Sequence, residues 1–297
     1  MTHVIPSPAK VNLFLKVLSK RPDGYHNIIS IVDIVSLHDT IHIEETKDNI
    51  ISLTDSRGVL PDGPGNTIYR AIAALKDRYK IRTGVRVHVE KNIPIGSGLG
   101  GPSSNAATAL KAMTKIWNLP IREEEMHEIG RAVGADVPLF LYGKPCVMKG
   151  IGDLISPIHL PVMWYLIVYP AVSIQTKAVY EGLKIVLTKK ENDIKLLGKF
   201  DTVREICAIL ENDLEKVGTV ICPAIQVIKD RLIEAGSIGA LMSGSGSSVF
   251  GVFDNEARAR EASVSLAGIG DIFVVRSIRE DGTTERVDTR RFPLPEE

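Results

Sequence analysis

The chain has 297 residues, 44% hydrophobic and 24% charged, which is enough apolar material for one large domain or two joined ones. Its 36 Lys and Arg balance 36 Asp and Glu, so the basic surplus that nucleic-acid or membrane partners usually demand is missing. Three widely spaced cysteines (Cys146, Cys207, Cys222) form no CxxC pair, no apolar run is long enough to span a bilayer, and MTHVIPSPAKVNLFLKV lacks a signal-peptide layout. The expectation is a cytoplasmic protein in a reducing compartment, with no nucleic-acid or membrane partner and an oligomeric state left open.

The first third reads mainly as strands. Val11, Leu13, Leu15 and Val17 alternate with Asn12, Phe14 and Lys16, a period-two pattern. Residues 28–35, 41–43 and 50–53 predict further strands, separated by polar turns such as Pro22-Asp23-Gly24. Asn66 is a good N-cap for a helix carrying Ile68, Ala71, Ile72, Leu75 and Tyr79 on one face, and Val85, Val87 and Val89 restore strand alternation. After a glycine-rich loop come a helix over 103–117 and a charged helix over 122–133, ended by Gly134. Pro157 and Pro161 mark a soft boundary, dividing the chain into residues 1–160 and 161–297. Beyond it the pattern predicts a strand at 164–169 and amphipathic helices at 202–217 and 223–235. Strands at 238–242, 248–253 and 272–278 then flank a helix at 255–266, and a polar, peripheral segment starts at Glu280. Strands and helices mix without regular βαβ alternation, so the fold class is α+β.

The most informative stretch is PIGSGLGGPSSNAA, Pro94 to Ala107. Gly96, Gly98, Gly100 and Gly101 allow backbone approaches that a β-carbon blocks, and Ser103 and Ser104 are candidate caps for the following helix. A helix N-terminus behind such a loop suits an anion, so the physical expectation is a phosphate cradle. A Walker A loop needs Lys and then Ser or Thr, but Gly101 is followed by Pro102. The spacing of Gly96, Gly98 and Gly101 satisfies the dinucleotide fingerprint, yet the charged Lys115–Gly130 stretch follows where an apolar strand is required. The third reading, an ordinary strand-to-helix turn, has four glycines and a serine pair against it.

The loop resembles the phosphate-binding motif of the GHMP kinases, the superfamily of galactokinase and of homoserine, mevalonate and phosphomevalonate kinases. PSPAKVNLFL (Pro6 to Leu15) and MSGSGSSVFGVF (Met242 to Phe253) resemble that family's N-terminal motif and C-terminal glycine-rich motif, in the same order. KRPDGYHNI (Lys20 to Ile28), GADVPLFLYG (Gly134 to Gly143) and ENDLE (Glu211 to Glu215) resemble one branch, which acts on a cytidylyl methylerythritol in the methylerythritol phosphate route to isoprenoid precursors. The resemblance implies a two-lobed α+β fold with its active cleft between an N-terminal and a C-terminal lobe. It also implies transfer of the ATP γ-phosphate to the 2-hydroxyl of that acceptor, with ADP as the other product. Pro102 departs from the pattern, which has a small residue there.

The resemblance assigns roles residue by residue. Asp136 matches the catalytic aspartate that orients the acceptor hydroxyl and takes its proton, and Lys10 matches the lysine beside it. ATP contacts fall on Pro94, Ile95, Gly96, Ser97, Gly98, Leu99, Gly100, Gly101, Ser103 and Ser104, with Asn66 and Lys91 on the adenosine side. Tyr25 and Tyr180 match an aromatic pair around the cytosine, His26 matches the residue reading its edge, and Asn12 and Thr176 face the erythritol diphosphate. Ser243, Gly244, Ser245 and Gly246 form the C-terminal glycine turn that supports the phosphate loop. Magnesium is expected on the ATP oxygens with Ser103 or Ser104 as the chain's candidate ligand, since no acidic cluster reads as a metal cage. Two other readings stay open: a GHMP kinase for an acceptor without a base, and a member that binds nucleotide without turnover.

Overall fold

In the computed structural model, residues 1–183 and 199–279 are described, so the expected polar segment from Glu280 lies outside them. The alternation near the N-terminus builds two long strands, β1 (Thr2–Lys20) and β2 (His26–Thr46), far longer than the predicted stretches. The turn joining them is closed by Gly24 N–H on the Arg21 carbonyl (3.1 Å) and by Asp23, which accepts from the Tyr25 amide. Contacts divide the chain into two compact units that interleave in sequence. The first comprises Met1–Ala9, His38–Ile93 and Gly100–Gly143; the second comprises Lys10–Leu37, Pro94–Leu99 and the described residues from Lys144 onward.

In the first unit, β3 (Ile51–Asp55) runs parallel to β4 (Gly84–Glu90), and β4 pairs antiparallel with residues 40–46 of β2. Val85, Val87 and Val89 are fully buried while Arg86 between them is exposed, as period-two burial requires. Helix α1 (Thr67–Tyr79) starts at Asn66, whose Oδ1 accepts from the Ile68 amide at 2.8 Å, and buries Ile68, Ala71, Ile72 and Leu75. It packs on α2 (Gly101–Ile116), whose alanines allow close approach; α3 (Glu123–Val133) and α4 (Val137–Tyr142) complete the layer. Glu123, Glu124 and Glu125 occupy the first turn of α3, where the helix dipole favours anions.

In the second unit, β5 (Cys146–Gly150) pairs with residues 28–32 of β2 and with β6 (Leu154–Pro157). A separate four-stranded antiparallel sheet has the order β11-β7-β10-β9: Asp271–Arg276, Trp164–Tyr169, Val249–Phe253 and Gly239–Met242. The run Trp164–Tyr169 has no polar alternation because β7 is an inner strand, buried on both faces from Tyr165 to Tyr169. Short α5 (Thr176–Glu181) follows it. The mixed helices and sheets agree with the α+β class.

The helix expected over 202–217 is instead three pieces: α6 (Val203–Cys207), strand β8 (Glu211–Asn212) and α7 (Glu215–Ile221). Thr202 and Glu205 form a capping box that starts the first piece. Residues 211–212 then pair parallel with Phe14 and Leu15 of β1, and the Asp213 amide donates to the Leu15 carbonyl. A tertiary pairing thus overrides an amphipathic pattern. The helices α8 (Ala224–Glu234) and α9 (Glu256–Ser265) form close to expectation, and α8 buries Ile225, Ile228 and Leu232. None of the three cysteines is in a disulfide. Among the described residues no helix is long and apolar enough to cross a membrane.

Candidate phosphate loop and acceptor residues

The second unit holds the part of the glycine loop from Pro94 to Leu99, and the direction of its peptide groups is its main chemical feature. Every carbonyl is tied back into the protein. Ser97 Oγ donates to Pro94 O (2.6 Å), Tyr169 OH to Ile95 O (3.0 Å) and Ile174 N–H to Gly96 O (3.2 Å). Ser248 N–H donates to Ser97 O (3.1 Å), and Lys10 N–H to Leu99 O (3.1 Å). Gly98 O receives two donors, Lys10 Nζ at 2.7 Å and Ser243 Oγ at 3.1 Å. Among the described residues no acceptor pairs the amides of Ile95, Gly96, Ser97, Gly98 or Leu99. Successive amides left unpaired while their carbonyls are anchored make an anion-binding nest. Gly98 is required here: its φ is +76°, and a β-carbon would lie 2.0 Å from the Ser243 carbonyl oxygen.

Lys10 is buried, and its ammonium also donates to Asn12 Oδ1. Asn12 in turn donates from Nδ2 to Ser30 Oγ (2.9 Å), whose hydroxyl donates to Phe14 O (2.6 Å). The cation is therefore held at a fixed point beside the loop. The C-terminal turn Ser243–Gly246 closes on the same place, since a β-carbon on Gly244 would sit 2.9 Å from Lys10 Nζ. Thr176 and Ser245 exchange a hydroxyl hydrogen bond of 2.9 Å. His26 stacks on Tyr180 with ring centroids 5.0 Å apart and planes 28° from parallel. Burial, and then the Lys20 charge, push the His26 pKa below its ordinary 6.5, which favours the neutral imidazole. Tyr25 is exposed.

The first unit carries the remaining expected residues. Helix α2 begins at Gly101, earlier than expected, with Gly100 at φ +78° as its N-cap and Pro102 in the first turn, where a missing N–H costs nothing. Ser103 and Ser104 therefore lie inside the helix and do not cap it. The Ser104 hydroxyl is buried against Ser7 Oγ (2.8 Å), while Ser103 is half-buried. Asn66 spends both ends of its amide on the chain, accepting from Ile68 N–H and donating to Pro61 O. Lys91 is buried in an ion pair with Asp39. Asp136 stands at the start of α4 but makes no capping hydrogen bond, so that helix does not use its carboxylate.

Side chains in these arrangements that were not among the expected ones include Ser7, Ser30, Asp39, Tyr169 and Asn212. Asn212 lies in the ENDLE stretch, which signalled kinship without a role. Its Nδ2 donates to Met242 O and Gly244 O, both at 2.8 Å, and Glu215 of the same stretch accepts from Met242 N–H (2.9 Å). A cavity of about 520 Å³ in the first unit is lined by Lys76, Lys80 and Arg82 with Tyr69, Ile50 and Ile81. Lys76 lies in the last turn of α1, where a cation suits the helix dipole, and donates to Asn49 Oδ1 at 2.8 Å, while Lys80, the C-cap, pairs with Asp77. Among the described residues no group of three or more His, Cys, Asp or Glu gathers as a metal site.

The chain is also similar to known proteins over most of its length. Residues 66–144 match the GHMP kinases N terminal domain, and residues 189–270 match the GHMP kinases C terminal domain. The chain is 42% identical over 272 residues to a 4-diphosphocytidyl-2-C-methyl-D-erythritol kinase of Geobacter metallireducens, covering 91% of this chain and 96% of that one. Its counterpart in Shouchella clausii is 36% identical over 292 residues, covering 97% and 98%. A crystal structure of 4-(cytidine 5'-diphospho)-2C-methyl-D-erythritol kinase superposes with a TM-score of 0.77 at 29% identity, over 93% of this chain and 100% of that one. The homoserine kinase of Cytophaga hutchinsonii shares the fold, with a TM-score of 0.68 at 18% identity over 93% and 94%. A nest of loop amides anchored by Lys10 and Ser243, in a chain matched almost end to end by these relatives, makes this protein a member of the GHMP kinase family, on its 4-diphosphocytidyl-2-C-methyl-D-erythritol kinase branch.

Proposed function

We propose that this chain transfers the γ-phosphate of ATP to the 2-hydroxyl of 4-diphosphocytidyl-2-C-methyl-D-erythritol, a step on the route to isoprenoid precursors. The observation that carries the reading is the 42% identity over 91% of the chain to a kinase named for that acceptor. The unpaired amides of 95–99 support the nucleotide half of it, because they offer donors to phosphate oxygens without adding a charge that would hold the product. Lys10, fixed by Gly98 O and Asn12, supplies a positive charge against the negative charge that builds on the transferring group. Asp136 orients the acceptor hydroxyl and takes its proton, a role open to a carboxylate that caps no helix. Asn66 and Lys91 shape the adenosine side from positions fixed by their own partners.

On the acceptor side, Tyr25 and Tyr180 supply the two faces for a base, and the neutral His26, stacked against Tyr180, supplies the edge hydrogen bond. Asn12 and Thr176 serve the erythritol diphosphate end. The Ser103 hydroxyl is the chain's candidate ligand for a magnesium ion on the nucleotide, which would supply neutralising charge to the phosphates, since Ser104 is committed to Ser7. The test is ADP release with the cytidylyl methylerythritol acceptor, homoserine, mevalonate or galactose. ADP only with the first, with a singly phosphorylated product, is the expected outcome. Turnover with another acceptor overturns the base-stacking assignment. ATP binding without turnover on any of the four replaces the kinase with a nucleotide-binding regulator.

A further inference from the structure

Asp39 reaches both shoulders of the phosphate loop. It lies on β2 in the first unit and is fully buried. Its Oδ1 accepts from two successive amides, Asn92 N–H and Ile93 N–H, each at 2.8 Å. Ile93 is the residue that enters the loop at Pro94. Oδ2 accepts from Lys91 Nζ and from Asn105 Nδ2, the latter at 2.9 Å. Asn105 lies in α2, the helix that leaves the loop. The Asn92 side chain adds a second tie on the entering side, donating to His38 O at 3.1 Å. A carboxylate is rigid and planar, so the separation of its two oxygens fixes the spacing between the entering strand and the leaving helix.

A buried ion pair is weak evidence for stability, because a well-packed apolar pair of similar volume often does as well. Lys91 alone would already neutralise Asp39. The three further donors bring no charge, and their directions specify a geometry. We propose that Asp39 is the positioning residue of the phosphate loop: it holds the ends of the amide nest at the separation that polyphosphate requires. This rests on reading the chain as an ATP-dependent enzyme.

Asp39→Asn is a planar isostere that retains one acceptor oxygen, so it serves the amide pair or the Lys91–Asn105 pair but not both. Asn105→Ala removes only the donor on the helix and leaves the ion pair in place, which guards against a variant that fails to fold. Affinities of the full chain for ATP and for adenosine are measured by calorimetry, beside thermal melting. In both variants ATP affinity is expected to fall roughly tenfold, while adenosine affinity stays within about twofold and the protein remains folded. Parallel losses of ATP and adenosine affinity would show Asp39 acting on the nucleoside through Lys91, and would overturn the proposal. Unchanged ATP affinity in folded Asn105→Ala would overturn it too. Failure of the wild-type chain to bind ATP removes the kinase reading itself, a separate result from either.

Discussion

Replacing Asn212 discriminates between a side chain that fills space and one that directs the C-terminal glycine turn. Asn212 is 6% exposed and makes three directed hydrogen bonds: Nδ2 to Met242 O and to Gly244 O, and Oδ1 from Leu214 N–H at 2.9 Å. These partners dictate the amide orientation. Asn212→Ala leaves two buried carbonyls and one amide without a partner, so at about 1 kcal/mol per hydrogen bond it costs on the order of 3 kcal/mol. Asn212→Asp keeps the acceptor for Leu214 but turns an oxygen toward two carbonyl oxygens. It is expected to cost more than Ala at pH 7 although it preserves volume. The facing carbonyls raise the carboxyl pKa of this variant above its unfolded value of about 3.9, because they favour the protonated donor. With a raised folded pKa, the stability of the Asp variant relative to the Ala variant is fully present below about pH 4 and is lost as pH rises through the folded value. Urea titrations at several pH values read these differences. Because Ser243 Oγ anchors Gly98 O, a displaced turn that forfeits about 1.4 kcal/mol of transition-state stabilisation should also lower kcat roughly tenfold. An Asp variant as stable and active as wild type at pH 7 would refute the directional role.

Three further outcomes follow from the same geometry. Gly98→Ala places a β-carbon 2.0 Å from Ser243 O at φ +76°, whereas Gly268→Ala at φ +85° meets nothing within 4 Å. Calorimetric titration with ATP should show a large loss only for the first, since the second carries just the left-handed backbone cost of about 1–2 kcal/mol. Asp136→Asn should abolish turnover in a coupled ADP assay while ATP affinity is retained; near-normal turnover removes Asp136 from the chemistry. For His26, burial and Lys20 depress the folded pKa below 6.5, so its contribution to stability is present above 6.5 and is lost as pH falls through the depressed value. His26→Asn should flatten that part of the pH–stability curve, and an unchanged slope below pH 6.5 would assign the effect elsewhere.

Where the sequence carried a local signal, the expectation and the structure agree. Asn66 before an apolar stripe, the alternating valines of β4 and the unbroken run of β7 each depend on neighbours within one element. At the start of α2 the paired serines imitate a cap, but Pro102 carries the better signal: proline favours a first helical turn. The break at Asn212 had no local signal, since a two-residue strand of Glu and Asn is dictated by Phe14 and Leu15 on β1. Asp39 in LHDTI reads as an ordinary polar strand residue, because its partners lie 52 to 66 residues further along the chain.

These omissions have one physical source. A phosphate site made of backbone amides needs no charged side chain of its own, so its sequence trace is the glycines that permit the bend. What makes the amides useful is that they point outward together, and that depends on where each carbonyl is fastened. In this chain the fasteners are Tyr169, Ser243, Lys10 and Ser97, with the amides of Ile174 and Ser248. Asn212 holds the turn that carries Ser243, and Asp39 holds both shoulders. Neither Asn212 nor Asp39 has to touch phosphate to matter, because a preorganised dipole array acts only if its orientation is fixed before the ligand arrives. Substitutions at such positions should therefore change affinity for the polyphosphate more than for the nucleoside, and a motif confined to the loop will always understate the site.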